Sequence, residues 1–400
     1  MRMSTLGFSM GSLSAMLEQQ SGLAKLQNQV ALGLRVTSPS DDPIAYVHIQ
    51  ELQRAQSESE QFGKNSTLAK NRLSLEEQAF VDTSNVMTRV RELVVQAGNT
   101  ATLSDTDRQS IATELAARLD ELQAIANRQD GNGEYLFSGY STKTQPFTGT
   151  GSNINYVADQ GARQLQLSST QKIADSHNGF EVFVDIPEGN GTFVSGVNTG
   201  NTGTGRIDVG SVVDRASWVP DDYTISFTSA TAYQITDGAT PANVVQTGTY
   251  TSGSAITFNG VSVTVSGQPA TGDTFTVNRS RSESIFDTIG NVVDLLKTPT
   301  GNATANAKLT STLSGSLQQL DQANDHFLGV RAQVGVRLAT IDSADASREA
   351  MDIDTASTLS DLQDLDYASA LTKMNQQLVG LQAAQMSYSK ISNLSLFNYL

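Results

Sequence analysis

The sequence predicts an α+β protein, in which an elongated α-helical stalk (a coiled coil or bundle from both ends of the chain) carries an inserted antiparallel β-rich domain. In residues 1–140 and 282–400 the apolar residues recur at helical spacing. In residues 141–281 they alternate with polar residues, as in strands with one buried face. The middle also holds more than half of the 32 glycines, which favours turns over helix.

The chain divides into five predicted segments. An N-terminal assembly helix and turn occupy 1–42, and the first half of the helical stalk occupies 43–140. A β-rich outer domain of one or two lobes follows at 141–281. The second half of the stalk spans 282–357, and a C-terminal assembly helix spans 358–400.

Both halves of the stalk carry an apolar seam that persists over several heptads, which is typical of coiled coils. The seams are Phe62, Ala69, Leu73, Phe80, Met87, Val90, Val94 and Ala97, then Leu309, Leu313, Leu320, Ala323, Phe327, Val330, Val334, Ile341 and Ala344. Asp42 before Pro43 suits the start of a helix, Ser104 with Asp107 resembles a capping box, and Gly98 suits a helix end. An unbroken helix from Pro43 to Gly98 would be about 80 Å long.

Strands are predicted where apolar residues alternate, at 223–227, 256–258 and 261–265. Asn259 and Gly260 separate two of these runs, and both tolerate the positive φ that a two-residue hairpin turn requires. Residues 187–206 are rich in Gly, Asn and Thr. They are predicted to form a loop or a join between two β lobes.

The composition excludes several classes of protein. A net charge of −15 argues against nucleic-acid binding, because that needs clustered Lys and Arg. The absence of cysteine excludes disulfides, thiolate metal sites and a cysteine nucleophile. No apolar run predicts membrane insertion, and residues 1–11 do not resemble a cleaved signal peptide. The chain is expected to be cytosolic or exported without such a signal.

No residue pattern predicts a catalytic site, a cofactor or a metal. Residues 7–11 match the G-x-S-x-G motif, but only six residues precede it, so the strand that a nucleophile elbow requires is missing. His48, His177 and His326 lie far apart and lack ligands at metal-binding spacing. We therefore expect a protein that is not an enzyme.

The two terminal segments carry apolar seams that a lone helix cannot bury. These seams are Leu13, Met16, Leu23, Leu26 and Val30, then Leu371, Met374, Leu378, Leu381, Tyr388, Ile391, Leu394 and Phe397. Each large apolar residue contributes roughly 1.5–3 kcal/mol when fully buried, so the ends are predicted to pair with each other and with neighbouring subunits. Periodicity alone fits an intramolecular bundle equally well.

Several quoted runs resemble a known family. The N-terminal 52 residues, including GLRVTSPSDDP at 33–43, resemble the start of flagellins and of their relatives at the hook–filament junction. NGEYLFSGYSTKTQPF at 132–147 and NLSLFNYL at 393–400 are similar, more specifically, to the hook-associated protein 3 family. The resemblance makes Gly33, Ser40, Asp41, Asp42 and Pro43 a structural turn between the terminal helix and the stalk. It ends near residue 183, apart from the C-terminal helices.

The resemblance implies a structural adaptor that joins the hook to the flagellin filament by helical self-assembly. The implied partners are copies of the chain in a ring within the flagellar tube, the first hook-associated protein, flagellin and an export chaperone. The implied location is the extracellular flagellum, after export without a cleaved signal peptide. The ends would pair in the inner core of the tube, with the β domain facing outward.

Two alternatives remain at this level. A flagellin-like filament subunit would share the helical ends, although the motifs at 135–140 and 395–400 favour the adaptor. A secreted adhesin or enzyme would use the middle β region, but the enzyme requires a convergent polar cluster that the sequence does not show.

Overall fold

The computed structural model describes residues 5–99 and 103–393, which form seven α-helices and fifteen β-strands. The helices are α1 (Thr5–Leu32), α2 (Pro43–Ala97), α3 (Asp105–Ala126), α4 (Gly179–Phe183), α5 (Ile285–Lys297), α6 (Ala303–Gln363) and α7 (Tyr367–Asn393). The first strands are β1 (Phe147–Thr150), β2 (Asn153–Tyr156), β3 (Gln164–Gln166), β4 (Lys172–Ala174), β5 (Ile186–Pro187), β6 (Phe193–Val197), β7 (Arg206–Ile207) and β8 (Ser211–Val212). The others are β9 (Tyr223–Ser229), β10 (Ala232–Thr236), β11 (Val244–Thr249), β12 (Ala255–Phe258), β13 (Val261–Ser266), β14 (Thr274–Arg279) and β15 (Ser282–Glu283). The predicted α+β class, with long helices on both sides of antiparallel strands, is confirmed.

The chain separates into two units. A terminal unit comprises residues up to Lys64 and from Ser343 onward, and a central unit comprises Asn65–Asp342. Both boundaries fall inside long helices, α2 and α6. Among the described residues, no helix is long and apolar enough to span a bilayer.

The stalk seams become the helical core of the central unit. Every seam residue predicted between Ala69 and Ala97 and between Leu309 and Ile341 is buried. Only Phe62 and Ala344, which belong to the terminal unit, are partly exposed. The predicted capping box forms, because Ser104 accepts from the backbone N–H of Asp107 while the Asp107 carboxylate accepts from that of Ser104. Helix α3 packs against α5.

A cluster of phenylalanines joins the first short strands to these helices. Phe137 stands edge-on to Phe183 at a ring-centroid distance of 5.2 Å, and Phe147 lies 4.9 Å from Phe286. Phe183 also contacts Phe327 of α6 at 5.7 Å. The hairpin β1–β2 is therefore part of the helical body, although its residues fall inside the predicted outer domain. Aromatic contacts between residues distant in sequence decide this, and strand alternation does not reveal them.

A second core belongs to strands β6–β14. One sheet has the order β11-β10-β9-β14-β6, and a smaller one has the order β12-β13-β7 with β8 paired to β13. Both contribute to one buried cluster that includes Phe227, Val263 and Phe275. The predicted hairpin turn is confirmed, because Phe258 pairs with Val261 and the φ angles of Asn259 and Gly260 are 41° and 79°.

Two predicted boundaries need correction. Residues 187–206, predicted as a loop or join, contain β6 and the start of β7, because Phe193 and its neighbours pair with β14 far along the chain. The C-terminal helix does not begin at residue 358, since α6 continues to Gln363 and α7 starts at Tyr367. The break arises where the backbone of Leu365 donates to the carbonyl of Gly33 at 2.9 Å, a long-range bond with no local sequence signal.

Candidate assembly surface

Helices α1 and α7 pack as an antiparallel pair in the terminal unit. A Cβ placed on Gly22 would lie 3.4 Å from the Gln377 side chain, and one placed on Gly380 would lie 3.8 Å from Gln19. Each helix thus offers a glycine opposite a glutamine of the other, and the small residues let the backbones approach. The Gln377 side chain fills space between the helices.

The inner side of this pair is only partly closed. Leu23 and Ala370 are buried, at 8% and 4% exposure. The other predicted seam residues on this side are half-buried, namely Met16, Leu26, Val30, Met374, Leu378, Leu381 and Tyr388. The side chain of Ile391 and residues Leu394 and Phe397 lie outside the described part of the chain. Most of the terminal seam is therefore still accessible.

Each helix of the pair also carries exposed apolar side chains outside the helix contact. They are Met10, Leu13 and Leu17 of α1 and Leu371, Val379 and Met386 of α7, with exposed fractions from 41% to 66%. We call these six residues the outer stripe. Leu13 was predicted to share a seam with Met16, and Leu371 was predicted to share one with Met374. In the structure, Leu13 and Leu371 are exposed. A strict heptad seam drifts around a straight α-helix, so its ends turn away from the contact.

The turn at 33–43 is organised by the Asp41 carboxylate. Its Oδ2 accepts from the backbone N–H groups of Thr37 and Ser38 and from the Thr37 hydroxyl, each at 2.9 Å. The Lys25 ammonium of α1 lies 2.6 Å from its Oδ1. These contacts, above all that with Lys25, hold the pKa of Asp41 well below its usual range.

The other predicted turn residues each have a local role. Asp42 caps α2, because its Oδ1 accepts from the Ala45 N–H at 3.0 Å, and Pro43 is the first helical residue. Ser40 shares a 2.8 Å hydrogen bond with Ser38. Gly33 has φ +72°, a left-handed conformation that suits glycine. Each of these residues thus has a local contact or backbone conformation in the segment between α1 and α2.

The turn is tied to the junction between α6 and α7. The Arg35 N–H donates to the Gln363 carbonyl at 2.7 Å, and its guanidinium donates to the Leu362 carbonyl at 2.7 Å. The Gln29 amide donates to the Arg35 carbonyl at 2.6 Å. Beneath it, Val36 and Ile49 form a small apolar cluster. These hydrogen bonds thus connect the turn that follows α1 to the C-terminal end of α6.

Several residues that shape this surface were not predicted. Met10, Leu17, Val379 and Met386 extend the outer stripe, and Arg35 links the turn to α6. The apolar four could have been found from their spacing of seven, within a few residues of the predicted seam. Arg35 could not, because its partners are backbone carbonyls more than 300 positions away.

The three histidines and the acidic groups of the described residues are the candidate ligands for a metal ion. No group of three or more His, Cys, Asp or Glu in the described residues could hold a metal ion. His177 is buried with its Nδ1 2.7 Å from the Glu76 carboxylate, and His326 shares a 2.8 Å hydrogen bond with the Glu181 carbonyl. His48 is exposed near Glu51. The site offers apolar contact area rather than reactive groups.

Known protein families match both the N-terminal helical region and the β-rich region of the chain. Residues 3–142 match the model of the bacterial flagellin N-terminal helical region. Residues 196–279 match the D2-like domain of flagellar hook-associated protein 1. Flagellar hook-associated protein 3 of Salmonella typhimurium is 37% identical over 187 residues, which cover 46% of this chain and 58% of that protein. The chain thus spans just over half the length of this relative.

Two solved structures extend the likeness to nearly the whole length of their chains. FlgL of Xanthomonas campestris has a TM-score of 0.72 and 35% identity, covering 77% of this chain and 99% of that one. Flagellar hook-associated protein 3 of Legionella pneumophila has a TM-score of 0.74 and 33% identity, covering 78% and 98%. These relatives are named as flagellar components and not as enzymes. The chain belongs to the flagellar hook-associated protein 3 (FlgL) family.

Proposed function

We propose that the chain is a structural adaptor that joins the flagellar hook to the flagellin filament by helical self-assembly. The observation that carries this proposal is the exposure of the outer stripe on two helices that are already paired. A stripe of large apolar side chains on one element marks a protein contact more often than a free surface. Family membership supports the flagellar setting, and the D2-like match supports the hook-associated branch over flagellin.

The partners follow from the same reasoning. The proposed neighbours are further copies of this chain in a ring, the first hook-associated protein on the hook side and flagellin on the filament side. The half-buried inner seam and the outer stripe would be buried in those contacts. Before assembly, an export chaperone would cover the apolar ends. The proposed location is the extracellular flagellum.

The test places charge on the outer stripe without disturbing the helix pair. In a strain from which the gene has been deleted, the double variant Val379→Asp/Met386→Asp is compared with Gln376→Asp/Ser387→Asp. All four positions are exposed on α7, so both variants should fold and give unchanged circular dichroism. A charge buried at a contact is costly, and the stripe variant should leave hooks without filaments and release flagellin into the medium.

The control variant should restore filaments and swimming. Equal motility with both double variants would rule out the outer stripe as an assembly contact. Truncations lacking 1–35 or 361–400 extend the test, because each should leave a soluble central unit that does not support filament growth. Filaments grown with either truncation would contradict the adaptor function itself.

A further inference from the structure

A basic pocket lies on the β-rich part of the central unit, in a protein whose net charge is −15. Its volume is about 480 Å³. Its lining includes Arg215, Arg279 and Arg281 beside Trp218, the only tryptophan of the chain. Pockets of a few hundred Å³ suit a small ligand.

Two of the three arginines have no carboxylate partner within the described ranges. Arg281 pairs with Asp222 at 2.6 Å, and its backbone N–H donates to the Glu188 carboxylate at 3.3 Å. No such ion pair involves Arg215 or Arg279 in residues 5–99 and 103–393. The guanidinium groups of Arg215 and Arg279 are therefore the charged groups of the lining that are not engaged by a carboxylate of the described residues. Guanidinium groups bind carboxylates in a planar, two-bond geometry.

The pocket is built on a fixed frame. The backbone N–H groups of Val213 and Asp214 both donate to the Gly260 carbonyl, at 2.8 and 2.9 Å. This anchors the segment that carries Arg215 and Trp218 to a hairpin turn. The Trp218 ring lies 5.9 Å from the Phe193 ring, which belongs to the β core. The backbone that carries these side chains is therefore held in place before a ligand binds.

We propose that this pocket binds an acidic saccharide, with Arg215 and Arg279 holding its carboxylate and Trp218 contacting the apolar face of a sugar ring. Trp218 is partly exposed at the pocket, and an indole offers a flat apolar surface with one polar N–H. The Ser280 and Ser282 hydroxyls also line the pocket. They could accept hydrogen bonds from sugar hydroxyls. This binding activity is separate from the proposed adaptor role.

The experiment uses the full chain and isothermal titration calorimetry with trigalacturonate, an acidic trisaccharide. Maltotriose, which is neutral, and inorganic phosphate are titrated in parallel. We expect saturable binding of trigalacturonate only. The double variant Arg215→Gln/Arg279→Gln should weaken it by about tenfold or more, since charge-assisted hydrogen bonds are lost. Arg206→Gln, an exposed arginine of the same β region outside the pocket, should change it less than twofold.

Three results would overturn the proposal. The first is no heat of binding with trigalacturonate at about 10 mM, a concentration that would reveal even millimolar affinity. The second is binding of phosphate as tight as that of trigalacturonate, which would make the pocket a general anion site. The third is equal weakening by Arg206→Gln, which would indicate unspecific attraction by surface charge.

Discussion

The central and terminal units solve the burial of apolar side chains in different ways. The central unit closes its own cores, and all of its predicted seam residues are buried. The terminal unit holds less than a third of the described residues but about half of the exposed large apolar ones. Both units use helices with similar apolar spacing. Spacing alone therefore does not indicate whether the apolar face of a helix is buried within its own chain.

The units also differ in the number and pairing of the charged side chains that they bury. In the central unit, the buried Arg72 guanidinium lies 3.0 Å from Asp130 and 3.2 Å from the fully buried Asp175. In the terminal unit, Asp41 is the main buried carboxylate, and its cation Lys25 is half exposed. A protein interior can hold such charges only when they are paired. The central unit therefore has the organisation of a self-sufficient domain.

The largest expected effect comes from breaking the buried charge network. Arg72→Met should lower the free energy of unfolding of the central unit by about 3–5 kcal/mol, because Asp130 and Asp175 lose a buried cation. Urea unfolding followed by circular dichroism measures the change. Arg91→Met is the matched control, since Arg91 pairs with Asp321 on the surface, and it should have little effect. Equal effects of the two variants would contradict a self-sufficient central unit.

Matched truncations of leucine compare the two cores directly. Leu73→Ala, at a fully buried site, should lower the free energy of unfolding of the central unit by about 2–5 kcal/mol. Leu23→Ala should leave that transition unchanged and only speed hydrogen exchange in α1 and α7. If Leu23→Ala shifted the main unfolding transition as far as Leu73→Ala, the terminal unit would be part of the same cooperative core.

Two carboxyl groups should give opposite responses to pH. Burial, reinforced by the nearby Glu188 charge, raises the pKa of Glu283 from 4.5 to about 7. The folded state then binds this proton more tightly than the unfolded state, so stability falls as pH rises from about 4.5 to about 7. Glu283→Gln should remove that fall and stabilise the protein at pH 8 by on the order of 2 kcal/mol.

Asp41 provides the contrast in the terminal unit. Its pKa is lowered, so its contribution to stability is present above its ordinary pKa of 3.8 and is lost as pH falls further. Asp41→Asn should therefore weaken the terminal unit at neutral pH and flatten its acid response. Thermal unfolding between about pH 1.5 and 8 measures both variants. The same pH slope in Glu283→Gln as in the unchanged protein would contradict the Glu283 assignment.

The smallest expected effect concerns the turn. Gly33→Ala should cost about 1–2 kcal/mol, because a residue with a Cβ is strained at positive φ. The added Cβ would also lie 2.8 Å from the Tyr367 hydroxyl. Gly11→Ala in α1 meets nothing within 4 Å and should instead stabilise the helix by about 0.5–1 kcal/mol. Hydrogen exchange at the 33–43 turn distinguishes the two variants, because only Gly33→Ala should make exchange there faster. A neutral Gly33→Ala would show that this turn is not needed to position α7.

The sequence by itself determined the elements whose signals are local. The seam from Ala69 to Ala97, the capping box at Ser104 and the Asn259-Gly260 hairpin follow from spacing and from residues suited to caps and turns. The 33–43 turn was recognised from a family motif, and Asp41 and Asp42 perform the hydrogen bonding that such a turn requires. The residues of the terminal seams were identified as apolar, and their role as an assembly contact stays a prediction.

Only the tertiary structure decided which apolar faces are covered. It buried the seam at Leu73, left Leu13 and Leu371 exposed, and ended α6 where Gly33 and Leu365 pair. It also joined β1 and β2 to the helical body through Phe147, and placed three arginines beside Trp218. The physical reason is common to these cases. Burial and backbone pairing depend on partners distant in the chain, whereas periodicity and capping depend on neighbours a few residues away.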